Sequence, residues 1–400
     1  MSGIILTLNA GSSSIKFAVF NAGDAPSAPL IRGSIAGIGS TPVFAARGTG
    51  GMALDNRPFA ALDASSSHDA AISLLLPWLS EQTGDDPLVA IGHRVVHGGR
   101  ELTGPMRITP PVLNEIERLI PLAPLHQPHN VAAIRAVARW RPDVPQIACF
   151  DTSFHATQDR LAQLFALPRA LSDEGIIRYG FHGLSYDYIA SALPSHLAPG
   201  KDRVIVAHLG NGASMCAMRG GKSRATSMGF TALDGLMMGR RCGTLDPGVV
   251  LYLMQERGMS AGEVATLLYK QSGLLGVSEL TNDMAVLEAS ADARAREAIE
   301  LFCYRAASSL AGLVPTIGGL DAIVFTAGIG ENSALVRDLI CARLDWLGVL
   351  LSPSENTAGA ARISAPASRV DVLVIPTNEE AVVADACRAI LNGANCTSID

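Results

Sequence analysis

No apolar run in this 400-residue chain approaches the roughly 20 residues needed to cross a bilayer. Its start, Met1-Ser2-Gly3-Ile4-Ile5-Leu6, lacks the basic region and long apolar stretch of a secretory leader. Only 17% of residues are charged while 48% are apolar, which excludes a disordered polymer and leaves ample material for buried cores. The formal net charge of −6 gives no basic footprint for nucleic acid, so an anionic ligand must be held by a few placed cations. The seven cysteines (Cys149, Cys216, Cys242, Cys303, Cys341, Cys387 and Cys396) are odd in number and widely spaced, with no CxxC pair. That excludes a disulfide frame or zinc site and points to free thiols in a reducing compartment. The expectation is a cytoplasmic globular protein of two or three domains, with no membrane and no nucleic-acid partner.

What is present is a succession of short apolar runs ending in polar turns. Ile4–Leu8 runs into Asn9-Ala10-Gly11-Ser12-Ser13-Ser14, and a second strand-like stretch, Ile15–Phe20, follows at once. Residues 22–60 alternate weakly and read as further antiparallel strands. Ser67–Leu79, Pro111–Leu119 and Asn130–Trp140 have helical character, the first with serines able to cap it and the second with proline in its first turn. Leu88–Val96 and Gln146–Phe150 read as buried strands. The pattern then restarts: Arg203–Leu209, the turn Gly210-Asn211-Gly212, and the strand Ala213–Arg219. Helices are expected over Thr244–Arg257, Ala261–Lys270, Ala291–Val314, Leu335–Leu347 and Glu380–Leu391, with strands over Ala322–Thr326 and Val370–Ile375. Leu6–Ser12 and Val206–Gly212 are alike and lie half a chain apart, a hint of two similar halves.

Three glycine-containing turns, Leu8–Ser14, His208–Gly212 and Gly328–Asn332, each follow an apolar strand. Singly, such a turn reads as a plain hairpin. Together, with Lys16 just beyond the first, they favour phosphate binding, because glycine permits close backbone approach and positive φ. None matches GxxxxGK[ST], so this is not a P-loop, and no HExxH is present. Arg94, in Gly92–Gly99, and Arg241, in Met238–Gly243, are flanked by glycines; a guanidinium matches carboxylate and phosphoryl oxygens through paired donors. Asp151, at a strand's C-terminal end, is a site candidate. His126 and His182 suit either structural hydrogen bonding or chemistry, and Glu379 and Glu380 suit either a Mg²⁺ shell or the start of the last helix.

In order, the motifs Leu8–Phe17, Gly92–Gly99, Pro124–Asn130, Phe150–His155, Tyr179–Gly183, Ala207–Ser214, Met237–Asp246, Phe325–Asn332 and Ile375–Glu380 resemble the acetate kinase family, of the superfamily of acetate and sugar kinases, chaperone ATPases and actin. The resemblance implies an α/β fold of duplicated actin-like (ribonuclease H-like) domains with an interdomain active-site cleft. The expected domains are 1–150, with the C-terminal helix 380–395 packing back on it, and 151–379. It implies a phosphotransferase with a carboxyl acceptor, moving phosphoryl directly in line between ATP and acetate, with ADP and acetyl phosphate as the other partners. Mg²⁺, or Mn²⁺ in its place, is the implied cofactor, and a homodimer the implied assembly. Carried onto this chain, the roles are Asn9 and Glu379 at the metal; Asp151, His182 and Arg241 in catalysis; and Arg94 and His126 at the substrate. Val96, Leu125, Phe181 and Ala232 fall at the acyl pocket. Ser12, Lys16, His208, Leu209, Gly210, Asn211, Gly212, Asp283, Gly328, Ile329, Gly330, Glu331 and Asn332 fall at the nucleotide.

The chain also departs from the family pattern. The usual Thr-Pro-Leu-Glu-Gly is Thr231-Ala232-Leu233-Asp234-Gly235, and the smaller Ala232 predicts a roomier acyl pocket that tolerates propionate. Gly-Thr-Arg-Ser-Gly is Gly239-Arg240-Arg241-Cys242-Gly243, adding the charge of Arg240 without an evident use. Ala285 replaces an arginine, putting one nucleotide contact in doubt. The competing readings are a propionate or butyrate kinase of the same family and a non-catalytic nucleotide-binding module. The joint presence of Arg94, Asp151, His182 and Arg241 disfavours the second.

Overall fold

The alternating apolar runs of the first 150 residues pair into a sheet whose central strands are buried on both faces. The structure, a computed structural model, describes residues 2–23, 28–54, 59 and 62–393. Cys396, residues 394–395 of the expected closing helix, and residues 24–27, 55–58 and 60 of the expected strand segment 22–60 lie outside the described residues. The chain divides into two units, Met1–Phe154 with Asn378–Asp400, and His155–Thr377.

In the first unit, β1 (Ile4–Ala10), β2 (Ser14–Asn21), β3 (Ile31–Ala36), β4 (Val43–Gly48), β5 (Leu88–Val95), β6 (Met106–Arg107) and β7 (Gln146–Phe150) form one sheet. The order is β4-β3-β2-β1-β5-β7-β6. β1 to β4 pair antiparallel as successive hairpins, whereas β1–β5 and β5–β7 are parallel. The two-residue pleat period sends Ile4, Leu6, Leu8, Phe17, Val19 and Ile91 into one core with Trp78, Leu75 and Val137. Phe44 stacks on Phe59 there, ring centroids 3.7 Å apart, with Trp78 edge-on at 4.9 Å. The same period puts Asn9, Lys16, Gly92 and Arg94 on the opposite face. There the helix Glu379–Leu391 lies so close that a Cβ on Gly92 would sit 2.4 Å from Val383. Only glycine permits that approach.

In the second unit, β8 (Arg203–Leu209), β9 (Ala213–Arg219), β10 (Lys222–Thr226), β11 (Ala322–Thr326) and β12 (Asp371–Val374) order as β10-β9-β8-β11-β12. β8–β11–β12 are parallel and β8–β9–β10 antiparallel. This repeats the β3-β2-β1-β5-β7 arrangement strand for strand, so the half-chain similarity is a duplicated topology.

Helix ends follow their caps. The helix His68–Thr83 begins where Ser67 accepts from the Ala70 N–H. The helix over 110–118 starts at Pro110, and the next starts at Gln127, three residues before the expected Asn130, behind Pro128 at its second position. The expected helix Thr244–Arg257 shortens to Pro247–Gln255, because Asp246 caps the Gly248 N–H and Pro247 sets the first helical φ. The expected Leu335–Leu347 helix ends at Ala342 and closes with a 3-10 turn at Asp345–Leu347. The expected Gly328–Asn332 turn is instead a short helix, Ala327–Asn332, entered through Ala327 at φ 65°.

Among the described residues no disulfide joins any of the cysteines. Among the described residues no helix is long and apolar enough to cross a membrane.

Burial pushes the His93, His97 and His155 imidazoles down to about 4. The unfolded chain takes up these protons near the ordinary value of about 6.5, while the folded chain does not. Stability is therefore full above that value and falls as pH drops toward 4. Calorimetric Tm is expected to decline between pH 7 and pH 5, and a Tm independent of pH over that range would refute the buried neutral state.

Candidate active site

In the first unit, the chemistry gathers where β1, β5 and β7 end. Arg94, next to last in β5, points its guanidinium at Asp151, the residue after β7. Nε donates to Oδ1 at 2.9 Å and Nη2 to Oδ2 at 2.6 Å, a bidentate fork. Nη1 donates to Asn9 Oδ1 at 3.3 Å, and Glu379 Oε2 lies 3.5 Å from Nε. Burial opposes the charge of Arg94, but the Asp151 and Glu379 carboxylates outweigh it and raise its pKa. An exposed fraction of 21% leaves the guanidinium an open side, whereas the Asp151 side chain, at 2%, is closed off. The unit boundaries thus put Asp151 and Glu379 with Arg94 in the first unit, whereas the expected edges at 150/151 and 379/380 put both in the second. The reason is physical: both carboxylates are partners of Arg94.

The remaining expected residues of this unit are spread more widely. Lys16 pairs in register with Asn9 and opens onto a pocket lined also by Arg32, Arg47 and Glu380. Ser12 sits exposed at the tip of the β1–β2 turn, where the Gly11 N–H donates to the Ser14 carbonyl. Val96 is buried, and its N–H donates to Asn130 Oδ1 at 3.0 Å. Leu125 is exposed and His126 half-buried, just ahead of the helix Gln127–Trp140. Asn130 was assigned no role from the sequence. Its amide also donates to the Ala10 carbonyl at 2.9 Å, and so ties the end of β1 to the end of β5. Two polar residues one turn apart, Gln127 and Asn130, on the buried face of a helix are the signal that identifies it.

In the second unit, His182 stacks on His208, centroids 4.2 Å apart and planes 14° off parallel. A Cβ on Gly212 would lie 3.2 Å from His182 Nε2, so this glycine leaves room at that nitrogen. Arg241 donates from Nη1 to the Ala232 carbonyl at 2.9 Å. No carboxylate pairs with it among the described residues, and burial lowers its pKa. The departure at residue 232 thus keeps the backbone oxygen that anchors Arg241.

Gly210, Asn211, Asp283, Gly328, Ile329 and Asn332 come together around one pocket of about 300 Å³. The added Arg240 has a use here: its Nε donates to Asn282 Oδ1 at 3.2 Å, and Asn282 donates to Asn211 Oδ1 at 3.0 Å. Ala285 lines the same pocket, and its N–H caps onto Asp283. Leu209, Gly330 and Glu331 do not line it. Leu209 is core, Gly330 is buried, and Glu331 turns its carboxylate to the Ala327 and Thr377 N–H groups at 2.8 and 3.1 Å. Arg337, also unassigned from sequence, is buried and donates to the Gly330 and Glu331 carbonyls, both at 2.9 Å, pinning the Ala327–Asn332 helix.

Two sheets of one repeated topology, each with glycine turns at its strand ends, are those of a phosphotransferase of the duplicated actin-like fold. The sequence profile of the acetokinase family matches residues 4–385, and the chain belongs to that family. It is 52% identical over 390 residues to an acetate kinase of Rhodopseudomonas palustris, covering 96% of this chain and 97% of that one. Among solved structures it resembles a propionate kinase from Francisella tularensis, with TM-score 0.90 and 38% identity, covering 96% of this chain and 99% of that one. It also resembles an acetate kinase from Porphyromonas gingivalis, with TM-score 0.85 and 33% identity, covering 98% of this chain and 100% of that one.

A Cβ on Gly239 would lie 1.9 Å from Asn211 Oδ1. Gly239→Ala is therefore expected to turn the exposed Asn211 side chain off Asn282 at a cost of no more than about 1 kcal/mol, the net worth of one hydrogen bond. Thermal denaturation of the variant measures this, and a large loss of Tm would show that the Asn211 side chain cannot turn away.

Proposed function

We infer that the chain is an acetate kinase, transferring the γ-phosphoryl group of ATP to acetate to give ADP and acetyl phosphate, reversibly. The observation that carries this reading is the near-full-length likeness to acetate kinases at up to 52% identity. The Arg94 cluster agrees with it. A guanidinium held protonated and oriented by two carboxylates, on a side chain that keeps 21% of its surface exposed, suits a small carboxylate or its acyl phosphate.

Phosphoryl transfer asks mainly for positioning and charge stabilisation. Acetate is already a nucleophile, so no strong base is required. Both Asp151 oxygens accept from Arg94, which suits an orienting carboxylate rather than a proton acceptor. Arg241 and the Nε2 edge of His182 suit donation to the transferred phosphoryl oxygens. The pocket around Asn211, Asp283, Gly328, Ile329 and Asn332 suits the nucleotide, and Lys16 and Ser12 its phosphates.

No group of three or more His, Cys, Asp or Glu side chains suited to a metal occurs among the described residues. Mg²⁺ bound chiefly by nucleotide phosphates and water needs only one or two protein oxygens, and the Asn9 amide and Glu379 carboxylate, both beside Arg94, fit that need. The ion, when bound, neutralises charge on the phosphates. Mostly buried thiols that form no disulfide among the described residues suit a cytoplasmic setting.

A homodimer is the proposed assembly. The helix Pro247–Gln255 buries none of its side chains, leaving Leu251 and Tyr252 54% and 52% exposed, and a second copy of this chain is the proposed cover. Light scattering is expected to give twice the monomer mass, and Leu251→Glu to lower it. A monomeric wild-type protein at micromolar concentration would sink the assembly.

A hydroxamate assay with ATP, Mg²⁺ and C2 to C4 acids tests the activity. Acetate should give acyl hydroxamate, and Asp151→Asn or Arg241→Ala should lower kcat by on the order of 10²–10³. With Ala232 at the acyl pocket, propionate should keep a kcat/KM no more than about 200-fold below that of acetate. No product from any acid would overturn the reading; near-normal turnover of Asp151→Asn would remove Asp151 from the mechanism.

A further inference from the structure

His182 occupies an improbable backbone conformation, and several side chains meet to hold it there. Its φ of 60° and ψ of 25° are left-handed, a region that residues with a Cβ rarely occupy. The residue before it is pinned by His155, whose Nε2 lies 3.0 Å from the Phe181 carbonyl. The residue after it opens the helix Gly183–Ala192. The ring lies flat on His208, which Ser185 holds through an Nδ1–Oγ contact of 2.8 Å. Backbone and ring plane are thus set, and what remains is which ring nitrogen carries the proton.

We propose that Ser214 is a positioning residue for His182: its hydroxyl, oriented by the Tyr186 phenol, donates to Nδ1 and so leaves the proton on Nε2. Ser214 Oγ lies 2.8 Å from His182 Nδ1 and within hydrogen-bond distance of Tyr186 Oη. Ser214 and Tyr186 are both fully buried. Burial raises the Tyr186 phenol well above its ordinary value, so it stays protonated and donates. A serine hydroxyl that accepts one proton gives its own to the other neighbour, here Nδ1. A neutral imidazole accepting at Nδ1 carries its hydrogen on Nε2, the nitrogen that faces Gly212. A donor oriented before substrate arrives needs no reorganisation when charge develops on the phosphoryl oxygens.

This inference rests on the kinase reading for the use of His182, but the tautomer is tested without it. Nitrogen NMR of the ligand-free full-length protein labelled in histidine, with the His182 signal assigned by its loss in His182→Gln, should show Nε2 protonated and Nδ1 bare. Ser214→Ala should give a mixture of tautomers. It should also lower kcat about tenfold, the worth of one hydrogen bond, with KM for ATP and acetate unchanged. Tyr186→Phe keeps the buried ring and removes only the hydroxyl, so it should mix the tautomers even where Ser214→Ala fails to fold. A proton on Nδ1 in the wild type, or wild-type tautomer and kcat in both variants, would overturn the inference. A wild-type protein that makes no acyl phosphate would refute the kinase reading instead, and leave the tautomer result standing.

Discussion

A guanidinium withdrawn from water must find its anions nearby, and in the first unit that requirement joins three distant segments. Arg94 reaches Asp151 beyond β7, Asn9 at the end of β1, and Glu379 at the first turn of a helix some 285 positions later in the chain. Each partner alone is a modest interaction. Removing one leaves the others around an undercompensated buried charge, which is costly. The arrangement also spends little of Arg94 on the fold, since one side of the guanidinium stays open. The ion pairs that close the unit and the cation that suits an acyl phosphate are therefore one object.

The second unit solves a different problem, that of bringing backbone and rings close without obstruction. Gly212 keeps the His182 edge clear, and Gly239 allows Asn211 to sit against the chain. Arg241, in contrast with Arg94, is held by a carbonyl, and no carboxylate pairs with it among the described residues. Duplicated topology thus supports two opposite electrostatic settings, one cation neutralised by neighbours and one not.

Much of this was legible from local pattern. The strand–turn–strand units at Leu6–Ser12 and Val206–Gly212, the buried strands, and the arginines at strand ends follow from pleat period and glycine placement. The Gly328–Asn332 segment was misread as a turn, because glycine near a strand end signals a break equally well before a hairpin and before a helix. Glu331 accepts from two backbone N–H groups at Oε1, partners that no local pattern indicates. Asn130, Ser214 and Asn282 show no role in the local pattern because their partners lie well outside the window over which periodicity operates.

The sequence alone determined the alternation of faces, the positions of the turns, and the residue types able to handle a phosphoryl group, since each of these depends on neighbours a few residues away. Tertiary structure alone decided which carboxylates belong to Arg94, that Arg240 orients Asn282, and which hydroxyl faces His182. Those are matters of three-dimensional distance and desolvation, and hydrogen-bond partners far apart in the chain meet only once the sheets have formed.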